Sequence, residues 1–316
     1  MSVPSALVTA TTEARGSVIV HLARALRPKQ WTKNLLLFAP LLFTMNLQWD
    51  PAHPGGFLAL LLRVTVAFGL FSLLSSAGYL VNDLLDLDRD RLHPTKRLRP
   101  LAAGLVSPSL ALVLAGVLAL GSVVGGFLLS GAYGAVQSSY VVLNTAYSLW
   151  LKHVLLVDVF AVAAGFVLRA VAGAVVIAVP ISPWLYLCTL LGALFLALAK
   201  RRAEYRLLEA EAVNHRPVLE GYTLPVLDQL LAVVTAATVI AYSLYTFTAE
   251  NLPRNGAMML TIPFVLFGLF RYLYLANVRD QGGSPEDVLL QDWPLWLTIV
   301  LWASTALAVL WAFRGV

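Results

Sequence analysis

The sequence predicts an all-α polytopic membrane protein of nine transmembrane helices, with the N-terminus cytoplasmic and the C-terminus outside. Three observations carry this reading. Hydrophobic residues make up 59% of the 316-residue chain and charged residues 12%, with a mean hydropathy of +0.79. A soluble domain carries about 25% charged residues, and one of this length could not hide so much apolar surface. Apolar stretches of about 20 residues, the length that crosses a bilayer, recur along the chain. The basic residues gather in alternate connections between them. Disordered, fibrous and soluble dinucleotide-binding classes are thereby excluded.

Taken in order, residues 1–20 contain Ser, Thr, Glu13 and Arg15 and lack a continuous apolar run before a cleavage site. They read as a loose cytoplasmic tail, leaving 21–316 as a single transmembrane domain. The expected spans are 33–49, 57–81, 105–129, 131–151, 155–179, 183–200, 226–249, 256–277 and 293–313, the third and fourth parted only at Ser130-Gly131. Arg24, Arg27, Lys29 and Lys33 precede or open the first span, and Arg89, Arg91, Lys96, Arg97 and Arg99 follow the second. Lys152 follows the fourth; Lys200, Arg201, Arg202, Arg206 and Arg216 follow the sixth. The alternate connections, near Asp50, Ser130, Pro180 and Arg254, hold one Lys or Arg between them. The positive-inside rule then orients the chain in the plasma membrane with its charged face toward the cytoplasm, and only Arg314 falls on the wrong side. The single cysteine, Cys188, excludes a disulfide framework or a Cys-based metal site.

Topology does not explain the acids. Asn82-Asp83-Leu-Leu-Asp86-Leu-Asp88-Arg-Asp90 places four aspartates in one basic connection. On a continuous helix Asp83, Asp86 and Asp90 fall within about a 60° arc, while Asp88 points elsewhere and is solvated. Three carboxylates on one face repel unless a cation neutralises them. Hard oxygen ligands suit Mg²⁺, which binds one or two carboxylates together with substrate phosphates. The bland alternative is a solvated acidic loop with Asn82 as a helix cap.

Asn-Asp-x-x-Asp-x-x-x-Asp, followed by Arg99-Pro100 and Gly104, resembles the first aspartate-rich motif of the UbiA superfamily of intramembrane prenyltransferases. The resemblance implies nine helices around a central cavity, with Asp83, Asp86 and Asp90, together with Asn82, as the Mg²⁺–diphosphate site. Where prenyltransferases of that superfamily carry a second acidic cluster, this chain has Lys200-Arg201-Arg202-Ala-Glu204-Tyr205-Arg206. That departure, with Arg27 through Asn34, Tyr147 through Lys152 and Asp158 through Gly173, resembles one branch of the superfamily. Its members move 5-phosphoribosyl from phosphoribosyl diphosphate to a polyprenyl (decaprenyl) phosphate, releasing diphosphate, for cell-wall arabinan.

Both substrates of such a reaction are anions, so phosphates beyond the metal need Lys and Arg. Lys29 and Lys33, spaced i,i+4, are phosphate ligands or an interfacial snorkelling pair. Arg99 follows the acidic motif. Asn144, Ser148 and Lys152 form a polar stripe with Tyr147 adjoining, either lining a site or bonding between helices. Asp158 and Arg169 lie about 20° apart on one face, as an ion pair or with Arg169 reaching substrate. Lys200 and Glu204, again i,i+4, flank Arg201 as phosphate ligands or a salt-bridged helix end. No nucleic-acid partner is implied, and a homo-oligomer is compatible with the apolar exteriors. Two rivals remain: a prenyltransferase of the same superfamily acting on an aromatic acceptor and, in another class, a membrane transporter of a phosphorylated or lipid-linked solute.

Overall fold

The computed structural model describes residues 18–45, 48–49, 54–93, 95–211, 217–249, 252–278, 287–288 and 291–313. Residues 1–17 of the expected tail, with Asp50, Arg216 and Arg314, lie outside them. The helices are α1 (Val18–Ala25), α2 (Ala39–Phe43), α3 (Pro54–Leu85), α4 (Leu87–Leu92), α5 (Pro108–Leu129) and α6 (Gly131–Leu149). They continue as α7 (Val157–Val176), α8 (Pro183–Glu211), α9 (Leu224–Thr248), α10 (Ile262–Val278) and α11 (Trp293–Ala312), with short 3-10 turns between. Seven segments are long and apolar enough to cross a membrane: α3, α5, α7, α8, α9, α10 with its preceding 3-10 turn, and α11. The α5–α6 division falls where the sequence puts it, because Ser130 is extended (φ −165°, ψ 134°) and ends one helix while opening the next.

Two of the nine expected spans take another form. The stretch 33–49 is not one α-helix: Pro28–Phe38 is a 3-10 helix, and only Ala39–Phe43 continues as α. In a 3-10 helix side chains three apart eclipse one another. Trp31, Asn34 and Leu37 therefore form one ridge. Trp31 Nε1 donates to Ser76 Oγ (3.0 Å), Asn34 Nδ2 donates to Ser72 Oγ (3.0 Å), and Leu37 is fully buried. Successive side-chain bonds to α3 hold the tighter winding in place. The other is α6, which is not among the apolar spans. Two of its polar residues turn inward: Gln137 Nε2 donates to Tyr133 Oη, which donates to the Ala67 carbonyl at 2.6 Å. Arg63 donates to the Leu129 carbonyl at the end of α5.

Helix α7 is the hub. In it 61% of the spanning window is buried, against 17–33% in the other six. Its Ala- and Gly-rich sequence lets neighbouring backbones approach closely, which is how helices associate where lipid is as apolar as protein. The closest approach is at Gly173, where an added Cβ would lie 2.2 Å from the Leu37 carbonyl oxygen and 2.8 Å from its carbon. Backbone cannot step aside as a side-chain tip can. Gly173→Ala is expected to destabilise the protein by roughly 1–3 kcal/mol, the usual cost of overpacking. Thermal unfolding in detergent measures this, and an unchanged midpoint contradicts it.

Candidate active site

One end of the bundle carries most of the charge. Helix α3 stops at Leu85, and Asp86 (φ −97°, ψ 8°) interrupts it before α4. The interruption splits the acidic face. Asp83 and Asp90, both almost fully buried, converge on one guanidinium: Arg99 Nη1 is 3.1 Å from Asp83 Oδ1 and 2.5 Å from Asp90 Oδ2. Arg27 Nη2 adds a second contact to Asp83 Oδ1 at 2.5 Å. Arg27 has φ 53°, the left-handed turn that swings the chain from α1 toward the acids. Asp86 has other partners, accepting from Lys152 Nζ at 2.9 Å and from Asn82 Nδ2 at 3.1 Å. Asp88 is solvated and pairs with Arg91.

The three carboxylates expected on one face thus have different partners here, Arg99 for Asp83 and Asp90 and Lys152 for Asp86. Among the described residues no three His, Cys, Asp or Glu side chains are set to hold a metal together. The donor chemistry nevertheless fits a hard divalent cation. Asp83 and Asp90 already enclose a position that positive charge occupies, and Asp86 and Asn82 supply further oxygens from the same nine-residue stretch, 82–90.

A second cluster joins α7, α8 and the α8–α9 connection. Asp158, with no exposed surface, accepts from Arg201 Nε (2.5 Å) and from the Tyr222 hydroxyl (2.8 Å). Arg201 also donates to Glu204 and, at 3.3 Å, to the Tyr147 hydroxyl. Tyr222 in turn accepts from the N–H of Leu156, whose φ of 66° is costly for a branched residue and is held by that bond. Burial, and then the bond to the Asp158 carboxylate, raise the Tyr222 pKa well above that of an ordinary phenol. The hydroxyl therefore stays protonated and keeps donating.

Beside these clusters lies a cavity of about 1430 Å³. Thr32, Lys33, Tyr79, Asn144, Tyr147, Lys200 and Arg201 line its charged end, Tyr140, Gly165 and Arg169 its middle, and Phe43, Trp184, Tyr242, Tyr245 and Trp302 its far end. Its lining among the described residues includes four cations, Lys33, Arg169, Lys200 and Arg201, and no carboxylate. Asn144 reaches it across Gly78, where an added Cβ would lie 2.1 Å from the amide nitrogen.

Several expected partnerships are rearranged. Asp158 and Arg169 do not pair: Asp158 holds Arg201, while Arg169 donates to Asn34 Oδ1 (2.7 Å), the Gly165 carbonyl (2.7 Å) and the Tyr140 hydroxyl (3.0 Å). Glu204 bonds Arg201, three residues away. Lys29 does not line the cavity; its side chain is 78% exposed and reaches 3.9 Å from Asp287. Lys33 does line it, with Nζ 2.5 Å from Gln30 Oε1. Lys152 is buried against Asp86, outside the cavity wall. The sequence reading did not single out Arg27, Asn34, Tyr140 or Tyr222 as site residues. Tyr140 carried a usable signal, lying one helical turn before Asn144 on the stripe already recognised.

These features define an all-helical multi-pass membrane protein with an acidic cluster beside a cation-lined cavity. The chain belongs to the UbiA prenyltransferase family, whose model matches residues 37–274. It is 35% identical over 298 residues to the decaprenyl-phosphate phosphoribosyltransferase of Mycobacterium tuberculosis, covering 93% of this chain and 95% of that one. The enzyme of the same name from Corynebacterium glutamicum is 35% identical over 283 residues, covering 88% of this chain and 83% of its own. In fold the chain is similar to a UbiA homolog from Archaeoglobus fulgidus solved with GPP and Mg²⁺, with a TM-score of 0.69 and 20% identity over 92% of this chain and 99% of that one.

Proposed function

We propose that the protein transfers the 5-phosphoribosyl group of phosphoribosyl diphosphate to a polyprenyl phosphate such as decaprenyl phosphate. Diphosphate is released, and the product serves cell-wall arabinan synthesis. The proposal places a single transmembrane domain, residues 21–316, in the plasma membrane with nine spans, counting the 3-10/α2 stretch and α6. Its N-terminus and charged end face the cytoplasm, where the water-soluble donor is found. The observation that carries this reading is the cavity lined, among the described residues, by four cations and no carboxylate, beside Asp83, Asp86 and Asp90. Such a wall suits substrates that are both anions, and full-length relatives at 35% identity bear this activity in their names.

In the reaction the C1–O bond of the donor breaks with its electron pair going to diphosphate, through an oxocarbenium-like state. A phosphate oxygen of the acceptor forms the new bond to C1 from the opposite face, inverting the anomeric centre. That phosphate is already anionic at neutral pH, so no side chain need remove a proton. Asp83, Asp86 and Asp90, with Asn82, would hold Mg²⁺, which when bound neutralises charge on the leaving diphosphate. Arg99, which lies between Asp83 and Asp90, and Lys152, which lies on Asp86, would supply cations to the diphosphate oxygens beside that metal. Lys33, Lys200 and Arg201 bind the donor's 5-phosphate and limit repulsion between the two anions. Asp158, Tyr147, Tyr222 and Glu204 hold Arg201 in position.

Purified protein incubated with Mg²⁺, phosphoribosyl diphosphate and a long polyprenyl phosphate is expected to yield phosphoribosylated lipid, read by mass spectrometry. Absence of that product, together with prenylation of an aromatic acid from a prenyl diphosphate, would overturn the proposal in favour of the aromatic-acceptor reaction.

A further inference from the structure

We propose that Arg169, with Asn34 and Tyr140, forms a separate anion subsite in the membrane-embedded part of the cavity and takes the phosphate monoester of the lipid acceptor. The inference rests on the phosphoribosyl-transfer reading for the identity of that lipid. Arg169 is 5% exposed and lines the cavity. A guanidinium has five N–H donors, and three are committed, to Asn34, Gly165 and Tyr140. One on each terminal nitrogen has no partner among the described residues, and no described carboxylate pairs with the charge. A cation placed this deep in a membrane protein is costly. Three rings soften that cost, Phe71, Tyr140 and Phe166, at 5.4, 4.9 and 5.5 Å from its central carbon. They also hold the fork in one orientation, leaving donors unspent on the cavity side.

The location selects the ligand. The guanidinium turns back to the Gly165 carbonyl, seven residues along α7 from Asp158, a rise of about 10 Å. Tyr140 likewise precedes by seven residues on α6 the Tyr147 that touches Arg201. Two helices thus give the same separation between the Arg201 cluster and Arg169. On α3, Ser72, which anchors Asn34, is eleven residues or about 16 Å from Asp83. Beyond Arg169 the wall becomes apolar and aromatic, with Phe43, Trp184, Tyr245 and Trp302. A single charged head with a long apolar tail matches that sequence of surfaces. Phosphoribosyl diphosphate, charged at both ends, matches the polar end instead. In-line displacement needs the nucleophile on the side of C1 away from the leaving diphosphate, and Arg169 is the cavity-lining cation on the side away from Asp83.

Equilibrium binding of farnesyl monophosphate and of farnesol, in detergent without donor or metal, tests the subsite. Wild type is expected to prefer the phosphate, and Arg169→Met to lower that preference roughly ten- to hundred-fold with farnesol affinity unchanged. Arg169→Lys, which keeps charge but loses the fork, is expected to lower it about three- to tenfold; it decides the matter should the methionine variant not fold. An unchanged preference, or equal loss of both ligands as a purely structural role would give, overturns the proposal. So does weakened phosphoribosyl diphosphate binding with the farnesyl preference intact, which would assign the subsite to the donor. Because the assay needs no turnover, failure to detect phosphoribosyl transfer would sink the proposed reaction and leave this subsite standing.

Discussion

Asp83→Asn is expected to lower kcat about 1000-fold, roughly 4 kcal/mol of transition-state stabilisation, while the KM for the lipid acceptor stays near its wild-type value. The asparagine keeps the shape and removes the charge. Asp83 is nearly solvent-free and receives two guanidiniums, from Arg27 and Arg99. Neutralising it leaves those cations to compete for Asp90 and removes a hard ligand from the pocket proposed for Mg²⁺. Loss at the step where diphosphate departs separates this role from one in acceptor binding. Single-turnover rates measure the effect, and the melting temperature checks that the variant is folded. Asp90→Asn is expected to behave alike, since it shares Arg99 Nη1. Wild-type turnover in a folded Asp83→Asn protein would remove the carboxylate from the mechanism.

The largest effect on stability is expected from Arg201→Met. Asp158 has no solvent exposure, and Arg201 is its charged partner. Removing one member of a buried pair strands the other, at a cost of about 3–5 kcal/mol. Tyr222 donates one hydrogen bond to Asp158 but cannot neutralise it. The double variant Asp158→Leu, Arg201→Met is expected to recover most of the lost stability, because removing both charges together is often close to neutral. Its activity should stay low, since Arg201 lines the cavity whether or not the helix junction is stable. Thermal unfolding and turnover of the three proteins provide the test. Recovery of activity along with stability would show that Arg201 serves packing alone.

Much of this architecture was legible in the residues. Apolar runs placed helix ends within a few positions: the expected 57–81 and 226–249 are Pro54–Leu85 and Leu224–Thr248. Membrane insertion selects for the total transfer free energy of each segment, so composition in a window is enough. The same logic made 33–49 a single span, and did not foresee that its first part belongs to the 3-10 helix Pro28–Phe38, tied to Ser72 and Ser76 of another helix. Helix α6 was placed by its length, although its polar residues keep it outside the apolar set; only packing shows that Tyr133 donates to the Ala67 carbonyl and accepts from Gln137 Nε2.

The candidate site divides along the same line. The acidic motif and the Lys-Arg-Arg run were visible because residue type and spacing along one element carry them. Partner choice was not. Asp158 and Arg169 share a helical face, which made them look like a pair, yet each bonds residues from other elements: Arg201 lies 43 positions from Asp158, and Asn34 lies 135 from Arg169. Lys29 and Lys33 looked equivalent at i,i+4, but the 3-10 winding turns Lys33 to the cavity and Lys29 to solvent.

By itself the sequence determined that the chain is helical and built for a membrane, and that acids and cations gather at one end. Those properties follow from how each segment partitions between water and lipid, a local quantity. Only the tertiary structure decided which charges cancel and which face the cavity, because a buried ion pair is set by the distance between side chains from different helices. That difference leaves Asp158 neutralised by Arg201, and Arg169 deep in the wall with no carboxylate partner among the described residues.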